Sequence, residues 1–168
     1  MSTPEAPSPS NGPARGARRR SAARLAAVQA LFQIDFAAVT SDDVIAEFAV
    51  YRLKGDLDGE AIVAAERNWF ETLVAGVDAE RSALDEKIAP LLGENWSLDR
   101  LGGVQRAVLR AAAYELMSHP KVPARVVISE YVDLAGAFSG GEEVSFVNAV
   151  LDRLARELRG NEFETAGP

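Results

Sequence analysis

Five arginines, at positions 15, 18, 19, 20 and 24, fall between Ala6 and Ile34 in a stretch with no acidic residue. Guanidinium groups bind phosphate in bidentate fashion and stack on unpaired bases, so a cluster of this kind suits an anionic ligand. The other 13 basic residues face 25 acidic ones, a balance of −12, and the whole chain carries −7. A basic arm on an acidic body fits nucleic-acid binding, and on charge alone it fits a solvated tail equally well. Arg20 and Arg24 stand one helical turn apart and are expected to project on one side of the first helix.

Other chemistries find less support. Glu115 and His119 share a helix face, but His119 is the only histidine and there is no cysteine. A zinc or di-iron site needs more ligands than these, and no disulfide is possible. Gly140-Gly141 lacks the Lys-Ser/Thr of a phosphate-binding loop. Ser129 beside Glu130 has no histidine base. The expectation is a protein that is not an enzyme and holds no metal or cofactor. Phe146 lies about 100° around its helix from Val147, at the edge of an apolar stripe. It reads as the flank of a core or as an exposed ring.

The elements that carry these residues are helical throughout. Val144, Val147, Val150, Leu151, Leu154 and Leu158 recur at three- and four-residue steps, the stripe of a helix with one buried face. Val127, Tyr131, Leu134 and Phe138 repeat similarly before it. Ser139-Gly140-Gly141, tolerant of positive φ, is expected to fold the pair into a hairpin. Upstream, a first helix is predicted over about Arg18–Phe36, with Leu25, Val28, Phe32 and Phe36 on one side. Thr40-Ser41-Asp42 offers the N-cap of a second helix, running to about Arg52. A third covers about Glu60–Val77, and Asp78 is expected to cap a fourth that Pro90 ends. Ser97 is expected to cap a fifth, with Trp96 and Leu101 as a hydrophobic staple. Gly102-Gly103 would then lie inside that helix at a cost of about 2 kcal/mol against two alanines. Close approach of another helix, or a kink, would account for the pair. No stretch alternates as a strand, and no apolar run nears the roughly 20 residues of a membrane span. The arginines before an Ala/Leu stretch mimic a signal peptide, but Arg24, Gln29 and Asp35 interrupt it, which favours a cytoplasmic helix. Residues 1–17, with four prolines, and 160–168 are read as flexible tails around a folded 18–159.

Three blocks carry a family resemblance. RRRSAARLAAVQALFQIDF, DRLGGVQRAVLRAAAYEL and SEYVDLAGAFSG…SFVNAVLDRLAREL resemble, in order, the NusB family of bacterial transcription antitermination factors. The resemblance covers roughly Arg18 to Arg159 and implies an all-α fold of about seven helices in two packed three-helix-type subdomains, divided near Asp78. It implies a non-catalytic factor binding boxA RNA of ribosomal transcripts together with NusE, a small-subunit ribosomal protein. The wider partners would be the elongating RNA polymerase complex and other Nus factors. By the same resemblance Arg18, Arg19, Arg20, Arg24, Glu142 and Phe146 would meet RNA. Phe32, Asp99, Gln105 and Arg110 would meet NusE, with Gln105 standing where a glutamate is common. The alternative is a helical protein–protein adaptor that has lost RNA binding. A third reading, the NusB-like domain of an RNA cytosine methyltransferase, would need βα units that do not follow Arg159.

Overall fold

A computed structural model describes residues 13–51 and 60–164, with side chains described for 16–50 and 66–164. Seven α-helices follow in order among the described residues: α1 (Pro13–Ala37), α2 (Ser41–Tyr51), α3 (Glu60–Ile88), α4 (Gly103–Ser118), α5 (Ala124–Phe138), α6 (Gly141–Leu158) and α7 (Gly160–Phe163). Two 3-10 turns, Ala89–Leu91 and Leu98–Arg100, lie between α3 and α4. The all-α expectation holds.

The centre is α4, whose Ala107, Val108, Leu109, Ala111, Ala112, Ala113 and Leu116 are all buried. So wide an apolar face belongs to a helix surrounded by others rather than one lying on a surface. The packing of α1 differs from its predicted stripe. Its buried face is Ala23, Ala27, Val28, Ala30 and Leu31, while Leu25, Phe32 and Phe36 reach the surface. Small side chains allow helix axes to come close, and α1 uses them to pack against α3 and α4. On α6 the expected stripe is the real one, with Val147, Val150, Leu151 and Leu154 buried.

Several boundaries move. The division expected at Asp78 falls two residues later, where α3 kinks at Glu80 (φ −107°, ψ 15°) before running on to Ile88. Ser97 lies before the short turn Leu98–Arg100 and makes no side-chain cap; α4 begins six residues later. Gly102 is therefore the N-cap and Gly103 the first helical residue, so neither weakens a helix interior. The close approach expected at this pair is real: a Cβ on Gly103 would lie 2.8 Å from the Phe32 ring of α1. The α5–α6 turn does not use left-handed backbone, since Gly140 has φ −80° and ψ 177°. Thr40 does cap α2, its Oγ1 accepting the Asp43 N–H at 3.1 Å.

Parts of both predicted tails are helical. Residues 13–17 already belong to α1, and 1–12 lie outside the described residues. At the other end α7 is anchored: Glu162 accepts the Ala124 N–H at 3.0 Å, and Arg156 lies 4.8 Å over the Phe163 ring. Residues 165–168 lie outside the described residues. No described helix is long and apolar enough to cross a membrane.

Candidate nucleic-acid interface

The arginines at the start of α1 meet different fates. Arg18 and Arg20 are exposed and Arg19 is half-buried. Arg24, expected to project beside Arg20, is only 2% exposed. Its Nε and Nη2 donate to the two Glu115 carboxylate oxygens at 2.8 and 2.9 Å. The buried Tyr131 hydroxyl donates to the same carboxylate. This is a correction to the predicted arm. The face of α1 that carries Arg24 enters the core with Ala23, Ala27 and Val28, and a buried charge must find its counter-charge there. Burial alone would lower the Arg24 pKa, but the hydrogen bonds and charge of Glu115 outweigh it and hold the guanidinium protonated. Burial beside that carboxylate pushes the Tyr131 hydroxyl well above its ordinary value.

Glu115 thus belongs to an ion pair, and no group of three or more His, Cys, Asp or Glu able to hold a metal occurs among the described residues. His119 instead stands edge-on to Trp69 (centroids 4.8 Å apart) and to Tyr114 (5.3 Å). Burial lowers its pKa, with Arg20 and Arg159 adding to that against the opposing pull of Glu115. Above this aromatic group the Arg20 guanidinium lies 4.9 Å from the Trp69 centroid. Arg159 closes the same end of the molecule, donating to the carbonyls of Glu115, Leu116, Val122 and His119.

Phe146 and Glu142 are elsewhere. They line a cleft with Trp96, Arg100, Gly102, Gln105 and Glu143, where α6 starts beside the start of α4. Phe146 is half-buried and tilts against Trp96, 52% exposed, at 6.1 Å between centroids. Leu101, predicted to form a staple with Trp96, is buried and lines the same cleft. Glu143 accepts the Gly140 N–H at 3.2 Å, fixing the first turn of α6.

Helix α1 runs antiparallel to α4, since Arg24 meets Glu115 while Arg106 meets Asp35 at 2.7 Å. Ten residues separate Gln105 from Glu115, about 15 Å of helix. The predicted RNA residues accordingly form two groups: Arg18–Arg20 at the C-terminal end of α4, and Glu142 with Phe146 at its N-terminal end.

Three of the predicted partner residues gather at that N-terminal end. Phe32 is 36% exposed and stacks on the exposed Phe36 (5.7 Å, 9°), in an apolar groove with Val28, Phe48, Val104 and Phe138. Gln105 faces the Trp96–Phe146 cleft, and Asp99 is exposed on the turn before α4. Arg110 is the exception. It is buried, and its Nε and Nη2 donate to Asp85 at 2.8 and 3.0 Å, with Asp35 3.9 Å away. It ties α4 to α3 and α1 and offers no free surface. Asp35 also accepts from Arg81 at 3.0 Å; burial would raise its pKa, but Arg106, Arg110 and Arg81 together hold it below the ordinary value.

In the sequence Trp69 and Arg100 do not read as site residues, and Trp96 reads only as half of a staple. The signal available for the two tryptophans was their rarity, two in 168 residues, in a helix that is otherwise Ala-rich and in an exposed polar turn.

The described residues form helices, with exposed arginines at one end of α4 and paired aromatics at the other. The match to known proteins is specific. The NusB family model covers residues 21–156, and the chain belongs to that family, whose members are non-catalytic antitermination factors. It is 48% identical over 147 residues to the transcription antitermination protein NusB of Rhodopseudomonas palustris, spanning 88% of this chain and 87% of that one. A solved NusB of T. maritima superposes with a TM-score of 0.69 at 32% identity, covering 86% of this chain and 96% of the other. A NusB chain solved with NusE and double-stranded RNA gives 0.67 at 28% identity, covering 83% and 98%.

Proposed function

We propose that the chain acts with NusE on boxA RNA of ribosomal transcripts, as part of an elongating RNA polymerase complex with other Nus factors in the cytoplasm. The observation that carries this reading is the likeness, over most of both chains, to a NusB solved with NusE and double-stranded RNA. The chemistry agrees with it. Arg18 and Arg20 are exposed cations on an acidic body, suited to phosphate. Phe146 with Trp96 supplies aromatic surface for unpaired bases. NusE takes the apolar groove of Phe32 and Phe36 together with Asp99 and Gln105. Arg24 acts from inside, holding α1 to α4, and Arg110 holds α4 to α3.

Two groups of RNA contacts at opposite ends of α4 suit a ligand long enough to span them, or a joint surface completed by NusE between them. Titrating labelled boxA RNA with and without NusE tests this. Tighter binding in the presence of NusE is expected. Equal affinity would exclude the shared surface, and no RNA binding in either case would favour the protein–protein adaptor.

A further inference from the structure

Arg20 differs from six described arginines that pair with carboxylates, while Arg125 likewise lies over a ring, 5.8 Å from Phe163, and Arg100 donates to the Asn95 carbonyl. Arg24, Arg81, Arg106, Arg110, Arg156 and Arg159 each meet a carboxylate within 3.2 Å. Arg20 forms no ion pair among the described residues; its guanidinium lies 4.9 Å over the ring of Trp69, and the residue is exposed. The ring beneath it is well held. Trp69 is half-buried on α3, with His119 of α4 against it edge-on and Tyr114 against His119 in turn. Tyr114 fits there because position 76 is glycine: a Cβ on Gly76 would fall within 2.4 Å of three Tyr114 ring and hydroxyl atoms. Residues of α1, α3 and α4 thus build one column that ends in a cation at the surface.

Resting on the RNA-binding reading above, we infer that Trp69 is a positioning residue, holding the Arg20 guanidinium flat so that its outer face is a stacking platform for an unpaired nucleobase. A guanidinium is planar and stacks on π systems through either face, and here its central carbon lies over the Trp69 ring. Its N–H edges stay free for the neighbouring phosphate. A lysine at the same place would keep the charge but present no plane. The site therefore prefers single-stranded RNA at this end of α4 and reads stacking rather than base identity.

The test combines the free protein with RNA titration. In the free protein, Arg20 side-chain protons should show an upfield ring-current shift that Trp69→Leu abolishes and Trp69→Phe partly keeps; its absence in the native chain overturns the inference whatever RNA does. With single-stranded boxA RNA, Arg20→Lys should weaken binding roughly 5- to 100-fold with the salt slope unchanged, as expected for a lost stacking contact. A duplex of equal length should lose little. Trp69→Leu should cost a similar factor and add nothing in the Arg20→Lys background, while Trp69→Phe restores much of the affinity. Circular dichroism checks that each variant is folded. Losses that multiply between the two sites, or equal losses for single strand and duplex, would show that Trp69 does not act through Arg20. If the ring-current shift is present but Arg20→Ala leaves RNA affinity intact, the fault lies in placing RNA at this end.

Discussion

Arg20 and Arg24 are one turn apart on the same helix and do opposite things. Arg20 lies on the surface against a tryptophan ring, and Arg24 is sealed in the core with Glu115 and Tyr131. What separates them is the depth at which α1 meets its neighbours, which the charge pattern does not record. An arginine on the outer turn keeps its phosphate-binding capacity. One turn further in, the same side chain must be neutralised, and it becomes a fastener between α1 and α4. A cluster of cations in sequence is thus an upper limit on the cations available to a ligand.

The largest expected effect follows from the buried partner. Arg24→Ala leaves Glu115 charged and unpaired in the core and should cost about 3–5 kcal/mol in urea unfolding, against an effect near zero for Arg20→Ala. Replacing the pair together, Arg24→Met with Glu115→Leu, should recover most of that loss. If Arg24→Ala proves as stable as Arg20→Ala, the two arginines do not differ as described. In the apolar core, Leu151→Ala should cost about 2–5 kcal/mol by the same measurement, since Leu151 is fully buried.

A second pair sharpens the contrast between closed and open positions. Gly103→Ala pushes a Cβ into the Phe32 ring and should cost about 1–3 kcal/mol, with Phe32 and Phe36 signals shifting in NMR spectra. Gly141→Ala meets nothing within 4 Å, and its thermal midpoint should stay level or rise slightly.

Acid stability follows from Asp35 and His119, both with folded pKa values below the ordinary ones. For such groups stability is present above the unfolded pKa and is lost as pH falls through the folded one. His119 should contribute to a decline that begins below about pH 6.5, because the unfolded chain takes up its proton first. Asp35 should contribute to a second decline below its unfolded value near 3.8. Asp35→Asn should flatten the lower limb of a stability–pH curve and His119→Gln the upper one; unchanged curves would contradict these assignments.

The fold was legible in sequence where periodicity carried the information. The α6 stripe was correct because large aliphatics at three- and four-residue steps have one way to be buried. On α1 the same rule chose Leu25, Val28, Phe32 and Phe36; Val28 is buried, but the rest of the buried apolar face is Leu31 and three alanines. Small residues give a weak hydrophobic signal, yet close helix packing selects them. The Ser97 boundary was misplaced because a good capping residue also occurs where no α-helix starts, whereas the break expected at Asp78 falls at Glu80. For the site, the exposure of Arg18 and Arg20 agreed with the charge pattern. The burial of Arg24 and Arg110 did not, since Glu115 lies 91 residues from the one and Asp85 25 from the other. Such pairings exist only once the helices are packed. The separation of Phe146 from the arginines has the same origin, because it depends on α1 running against α4.

The most direct test is the salt dependence of boxA RNA binding by the native chain, Arg20→Ala and Arg24→Ala, read beside their thermal melts. Arg20→Ala is expected to lower affinity and reduce the slope of log affinity on log salt by about one unit while melting like the native chain. Arg24→Ala is expected to melt much lower, while the folded fraction keeps the native slope. A reduced slope for folded Arg24→Ala, with Arg20→Ala indistinguishable from native, would contradict the account.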